Sequence, residues 1–177
     1  VLDRGTICNA WLGLTLSGGA GARIDLIAAE APYLDGGAKP RRDQVEGCRF
    51  FGHRSAILPD GGEGRLAEFL WMRSLRYLVL DVRTDAAPLR LDGVALAETG
   101  FPLRRQDRFR AGGAGALARV LDAAWNTIRL CSHEGFYDCP HFEQCQFPGD
   151  TRIQALYHYA VCGEDRLARK AIDDFAA

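Results

Sequence analysis

The spacing of apolar residues changes partway along the chain, and that change confines it to two parts built on different principles. Up to about residue 103, apolar residues come in short runs broken by Gly and Pro. Ile7 to Leu16 is one such run, centred on Trp11. Ser17-Gly18-Gly19-Ala20-Gly21 supplies a turn, and Arg23-Ile24-Asp25-Leu26-Ile27 returns with partial alternation, which predicts a hairpin. Pro32 to Gly37 and Pro59 to Gly64 read as loops. Leu75 to Val82 is the strongest strand, and Leu89-Arg90-Leu91-Asp92 with Val94-Ala95-Leu96 gives another. Many short strands between such turns predict a β-sandwich over residues 1–103.

After about residue 104 the period becomes helical. Leu117, Val120, Leu121, Ala124 and Ile128 recur at the spacing of one helix face, and Ile153, Leu156, Tyr157, Ala160 and Val161 repeat it. Gly163 is placed to end the second helix in a left-handed residue. Asp165 is placed to cap a third, with Leu167, Ala171 and Phe175 on one face. Arg104 to Gly115, with its three glycines, reads as a linker, and 116–177 as α-helical hairpins. Gly112-Gly113-Ala114-Gly115 imitates a phosphate cradle but lacks the Lys-Ser/Thr that such a loop needs. Trp11, Trp71 and Trp125 are expected in the core, and His53 and His158 receive no role.

Composition excludes several functions. Net charge is −1, from 22 basic and 23 acidic residues, so nothing suggests nucleic acid or an anionic membrane as partner. No apolar run approaches the roughly 20 residues that span a bilayer. Six cysteines lack the spacing of a disulfide framework, which points to reduced thiols and favours a cytoplasmic setting without fixing one. The chain opens without Met at Val1-Leu2-Asp3-Arg4-Gly5 and closes on Ala176-Ala177 in a helical pattern. It reads as an internal fragment.

The chemistry is concentrated in Tyr137-Asp138-Cys139-Pro140-His141-Phe142-Glu143-Gln144-Cys145-Gln146-Phe147-Pro148-Gly149-Asp150. Three carboxylates lie among aromatic rings. Acid-assisted bond cleavage requires one carboxyl that stays protonated near neutral pH while its neighbours stay ionised. Glu143, between Phe142 and Phe147 with His141 nearby, is the candidate, because apolar neighbours disfavour its charged form. Its alternative is a solvated loop glutamate. Asp138 precedes Cys-Pro, so its backbone is expected to be extended, and its alternative role is to bond its own turn. Asp150, after Pro148-Gly149, suits an N-cap. Phe136, Tyr137, Phe142 and Phe147 offer flat apolar faces on which a ligand can pack, or a core for the helices. Cys131, His133, Cys139, His141 and Cys145 offer five soft ligands in one stretch. Their Cys-x-His, Cys-x-His, Cys spacing is not that of a zinc site, and no metal and no cofactor are expected.

Asp138-Cys139-Pro140, a glutamate five positions after the Asp, and Gly149-Asp150 with its Asp twelve positions after the first resemble the bacterial α-L-rhamnosidases. The resemblance continues through Thr151-Arg152-Ile153-Gln154-Ala155-Leu156. Phe142 and Phe147 stand where many members carry arginine and tryptophan, and the Phe-Glu-Gln-x-Gln-Phe form resembles a side branch of the family. The resemblance implies a β-sandwich followed by the first helices of a partial (α/α)6 barrel, and inverting hydrolysis of terminal α-L-rhamnosyl or related deoxy-sugar linkages. It implies Glu143 as general acid and Asp150 as an electrostatic or substrate contact. Asp138, His141, Phe142 and Phe147 would bind the carbohydrate substrate. In the family the base lies far downstream, so no residue here is assigned to it, and the chain alone is expected to be inactive. The alternative is a non-catalytic carbohydrate-binding or scaffold module, since a fold alone does not decide function.

Overall fold

The longest strand, β1 (Leu2–Gly18), has neighbours along both edges. The computed structural model containing it describes residues 1–106 and 115–177, in two compact units, Val1–Glu98 and Thr99–Ala177. The remaining strands of the first unit are β2 (Arg23–Ala29), β3 (Pro32–Tyr33), β4 (Arg49–Phe50), β5 (His53–Ile57), β6 (Arg65–Glu68), β7 (Arg73–Arg83) and β8 (Leu89–Glu98). One edge of β1 pairs antiparallel with β7 through Leu2–Ala10 and then with β6 through Gly13–Leu16. The other edge pairs with β8, whose register shifts by one residue between Thr15 and Leu16, a bulge. β2 pairs with β7 and β5, and β3 pairs with β4 as a separate ribbon.

The predicted hairpin is therefore corrected. The chain does turn at Ser17–Gly21, but β1 and β2 are not neighbours, because β7 lies between them. Local turn signals report a reversal of direction. The 11-residue β7, buried over most of Arg73–Leu78, fills the edge between β1 and β2.

Strand alternation explains the core. Cys8, Ala10, Leu12, Leu14 and Leu16 point to one side of β1 and pack with Ile24, Leu26 and Ala28 of β2 and Leu75 and Leu78 of β7. Each of the large residues among them contributes about 1.5–3 kcal/mol by leaving water. Trp11 faces the other way and is 44% exposed, and Trp71, in the β6–β7 turn, is 47% exposed, which corrects their expected place in the core. At the β2–β5 edge, a Cβ on Gly52 would lie 1.8 Å from the Ala28 carbonyl oxygen, so only glycine allows that approach. The resulting sheet, curled into a half-barrel, is consistent with a β-sandwich.

The second unit contains α1 (Gly115–Cys131), α2 (Pro148–Tyr157), a π-helical turn (His158–Cys162) and α3 (Arg166–Ala176). Gly163 closes the π turn at φ 60, as predicted, and Asp165 is the N-cap residue of α3, its carboxylate paired with Arg169 at 3.1 Å. Residues 99–106 belong with these helices. Phe101 N–H donates to the Ser132 carbonyl, and Gln106 N–H to that of Val161. The core here is Phe136, Leu167, Ala168 and Ala171, with Phe101 and Ala155 packed against it. Most of the linker expected at 104–115, and with it most of the glycine-rich stretch, lies outside the described residues. A partial (α/α)6 barrel is not shown, since three short helices do not make a ring of six hairpins. Among the described residues, no helix is long and apolar enough to cross a membrane.

Candidate active site

Residues 137–147 form a closed loop between α1 and α2. Its two ends are tied together like a short antiparallel ladder. Asp138 N–H donates to the Cys145 carbonyl (2.8 Å), Cys145 N–H to Asp138 Oδ1 (3.1 Å), and Gln144 N–H to the Cys139 carbonyl (3.1 Å). Pro140–Glu143 make the turn, and Gln144 adopts φ 55 to close it, with its side-chain Nε2 donating to the Pro140 carbonyl at 2.9 Å.

Two glutamines fix the loop to its surroundings. Gln146 Oε1 accepts the Phe136 N–H (3.0 Å), and its Nε2 donates to Asp174 of α3 (3.0 Å). Gln154 of α2 donates to the Tyr137 carbonyl at 2.9 Å. Sequence reasoning gave neither of them a role. Only their place inside the motif marked them, because an amide that spans two backbone segments leaves no signature in spacing.

The closure brings Asp138, Cys139 and Glu143 together, with ligand-type atoms all within 4.8 Å. Glu143 hydrogen-bonds to Asp138. That bond and the Asp138 charge, helped by burial and by the charge of Asp150, hold the Glu143 carboxyl above its ordinary value. Burial pushes Asp138 upward, but the N–H groups of Cys139 and Cys145, the Cys139 thiol and Glu143 itself outweigh it, and its carboxyl stays low. The loop therefore holds one carboxyl protonated to higher pH and its partner ionised to lower pH. The expected cause was apolar neighbours. The structure puts Asp138 in that role instead, since Phe142 and Phe147 are 57% and 43% exposed and do not enclose Glu143.

Asp150 sits in the first turn of α2 rather than at its cap. Phe147 is the N-cap residue, and Pro148 starts the helix with φ already fixed. A carboxylate in that turn is favoured by the amide dipoles. Asp138 and Asp150 both line a pocket of about 330 Å³, walled also by Ala124, Thr127 and Ile128 of α1 and by Ile153, Gln154 and Tyr157 of α2. Glu143 is not in that wall, but stands one hydrogen bond from it through Asp138. His141 is buried and meets Phe142 edge-on at 4.5 Å between ring centres.

The five soft ligands do not assemble. Among the described residues, Asp138, Cys139 and Glu143 are the candidate ligands brought within reach of one another. Protein purified without added metal is expected to carry well under one zinc per chain. Stoichiometric zinc that survives dialysis, measured by elemental analysis, would overturn this.

His158, given no role from sequence, is fully buried at the start of the π turn. Ser132 Oγ donates to the Ile128 carbonyl (2.7 Å), so its one proton is committed, and His158 Nε2, 2.9 Å away, is the donor to it. Phe136 packs edge-on to the imidazole at 4.8 Å. Burial holds its pKa down at about 4.

No protein-family model and no curated protein matches the chain. Solved structures do. A GH78 family rhamnosidase of Bacillus sp. GL1 is similar over 97% of this chain and 17% of its own, with TM-score 0.70 and 28% identity. A rhamnosidase from Klebsiella oxytoca with rhamnose bound is similar in fold over 96% of this chain and 34% of its own, with TM-score 0.68 and 18% identity. The chain thus spans about a sixth of the first and a third of the second. The likeness first read from the Asp-Cys-Pro loop extends to the backbone of almost the whole chain, whose structure neighbours are rhamnosidases, the first of them of family GH78.

Proposed function

We propose that this chain carries the acid side of an inverting glycoside-hydrolase site for terminal α-L-rhamnosyl or related deoxy-sugar linkages. The observation that supports it is the Glu143–Asp138 pair. Its two carboxyls are pushed in opposite directions within one loop, in a chain whose neighbours are rhamnosidases. Glu143 donates its proton to the leaving oxygen. Asp138 keeps that proton in place until transfer. Asp150 and Asp138 meet sugar hydroxyls from the pocket wall, and Phe142 and Phe147 pack on the sugar's apolar face. His141, being buried, acts by orienting Phe142.

An inverting pair stands roughly 6.5–9.5 Å apart to admit a water. Asp138 is bonded to Glu143 and leaves no such room, so it is not the base. Inversion is tested by following the first anomer released from an α-L-rhamnoside by proton NMR, using the natural full-length protein. The β-anomer is expected, and the α-anomer would overturn the reading. Sugar binding without any hydrolysis would favour a non-catalytic carbohydrate-binding module. The 177-residue chain alone, with no base assigned, is expected to release no aryl alcohol from an aryl α-L-rhamnoside. Turnover of about 1–10³ per second by that chain would place the base within it.

A further inference from the structure

Cys139 touches both members of the carboxyl pair. Glu143 N–H donates to Cys139 Sγ at 3.3 Å, and the Cys139 thiol hydrogen-bonds to the Asp138 carboxylate. These contacts point in opposite senses, since the sulfur accepts from one residue and its S–H is given to the other. The neighbouring backbone leaves that side chain little freedom. Pro140 follows it, and the Cys139 carbonyl is held by Gln144 N–H. A second cysteine, Cys145, uses its own thiol on the Glu143 carbonyl at 3.2 Å, so Glu143 is gripped at both its N–H and its C=O by sulfur.

We propose that Cys139 is a positioning residue for this site: its sulfur fixes the Glu143 backbone while its thiol proton occupies the Asp138 carboxylate, so that the proton shared by the two carboxyls resides on Glu143. This rests on the reading of Glu143 as the acid, but the juxtaposition can be tested without catalysis. A donor to Asp138 stabilises its ionised form. Remove the donor, and Asp138 competes better for the shared proton. Two coupled carboxyls lose protons in two macroscopic steps, and the question is which residue holds the proton between them.

The experiment is a site-resolved carbon-13 titration of the Glu143 and Asp138 carboxyls in the 177-residue chain. In the parent chain, Asp138 is expected to change in the lower step and Glu143 in the upper. In Cys139→Ala, Asp138 should take part of its change in the upper step, reflecting a roughly tenfold shift in the proton's partition, about the worth of one hydrogen bond to a charged group. Cys139→Ser keeps a donor and an acceptor and should restore the parent pattern. Cys139→Val fills the space with neither, and gives the same reading as alanine should the alanine variant lose its fold. Parent-like titration in the alanine or valine variant, or failure of serine to restore it, overturns the proposal. Should the proton move as expected while Glu143→Gln leaves hydrolysis intact in the full-length protein, the positioning stands and the acid assignment fails.

Discussion

Glu143→Gln is expected to lower turnover on a rhamnoside with an alcohol leaving group by about 10²–10⁴, the usual worth of general acid assistance, with little loss of binding. Glutamine keeps the shape and a hydrogen bond to Asp138 but has no acidic proton to give. A substrate with a good leaving group, such as a dinitrophenolate, departs without protonation and should be rescued in part. Asp138 was expected from sequence either to contact the sugar or to bond its own turn, and neither role depends on the leaving group, so Asp138→Asn would affect both substrates alike. Its hydrogen bond to Glu143 changes that expectation. Removing the Asp138 charge lowers the Glu143 pKa, so the alkaline limb of the rate profile should move to lower pH, chiefly for the poor leaving group. The measurement is the pH–rate profile of both variants on both substrates, in a form of the protein that hydrolyses them. Near-normal turnover of Glu143→Gln on the poor leaving group would move the acid elsewhere.

Acidification is expected to weaken the helical unit through His158. The sign follows from the two states. An unfolded histidine takes up a proton near 6.5, whereas folded His158 does so only at about 4. Above 6.5 both states are neutral and nothing is lost. Between 6.5 and 4 the unfolded chain binds the proton and the folded one does not, so stability falls by about 1.4 kcal/mol per pH unit. The total approaches something on the order of 3 kcal/mol near pH 4 and then levels off. His158→Gln removes the titration and should flatten this part of the profile, after an initial cost from its weaker fit beside Ser132 and Phe136. Denaturant melts read by amide exchange at α1 and α2, in parent and variant at several pH values, measure the difference. Equal slopes in the two proteins would show that other groups carry the acid sensitivity.

The sequence was most legible where a residue acts on its own backbone. Gly163 adopts the left-handed conformation assigned to it. Asp165 stands at the N-cap position, but its side chain makes no cap hydrogen bond, and Glu164 Oε1 accepts the Arg166 N–H instead. It was least legible where the partner is remote. Leu117 and Val120 belong to a helix face that periodicity marks for burial, yet they are 42% and 61% exposed, because amphipathy states what a face requires and not what meets it. Among the candidate site residues, the motif named the three carboxylates. Its explanation for Glu143 relied on adjacent phenylalanines, whereas the pairing of Asp138 with Cys145 brings a charge beside it. Asp150 looked like a cap because it follows Pro-Gly, but proline at the first helical position moves the cap back to Phe147.

The pairing of β1 has a consequence for how the molecule comes into being. Its hydrogen-bonded neighbours are β6, β7 and β8, which begin at Arg65 and end at Glu98, and the next strand in the chain, β2, is not among them. During synthesis, the apolar stretch from Cys8 to Leu16 therefore emerges long before anything that can pair with it. Closing such distant contacts is entropically slow, and an unpaired apolar strand invites association with other chains meanwhile. Recombinant yield should accordingly respond more to chaperone supply and growth temperature than the equilibrium stability of the finished sheet would suggest.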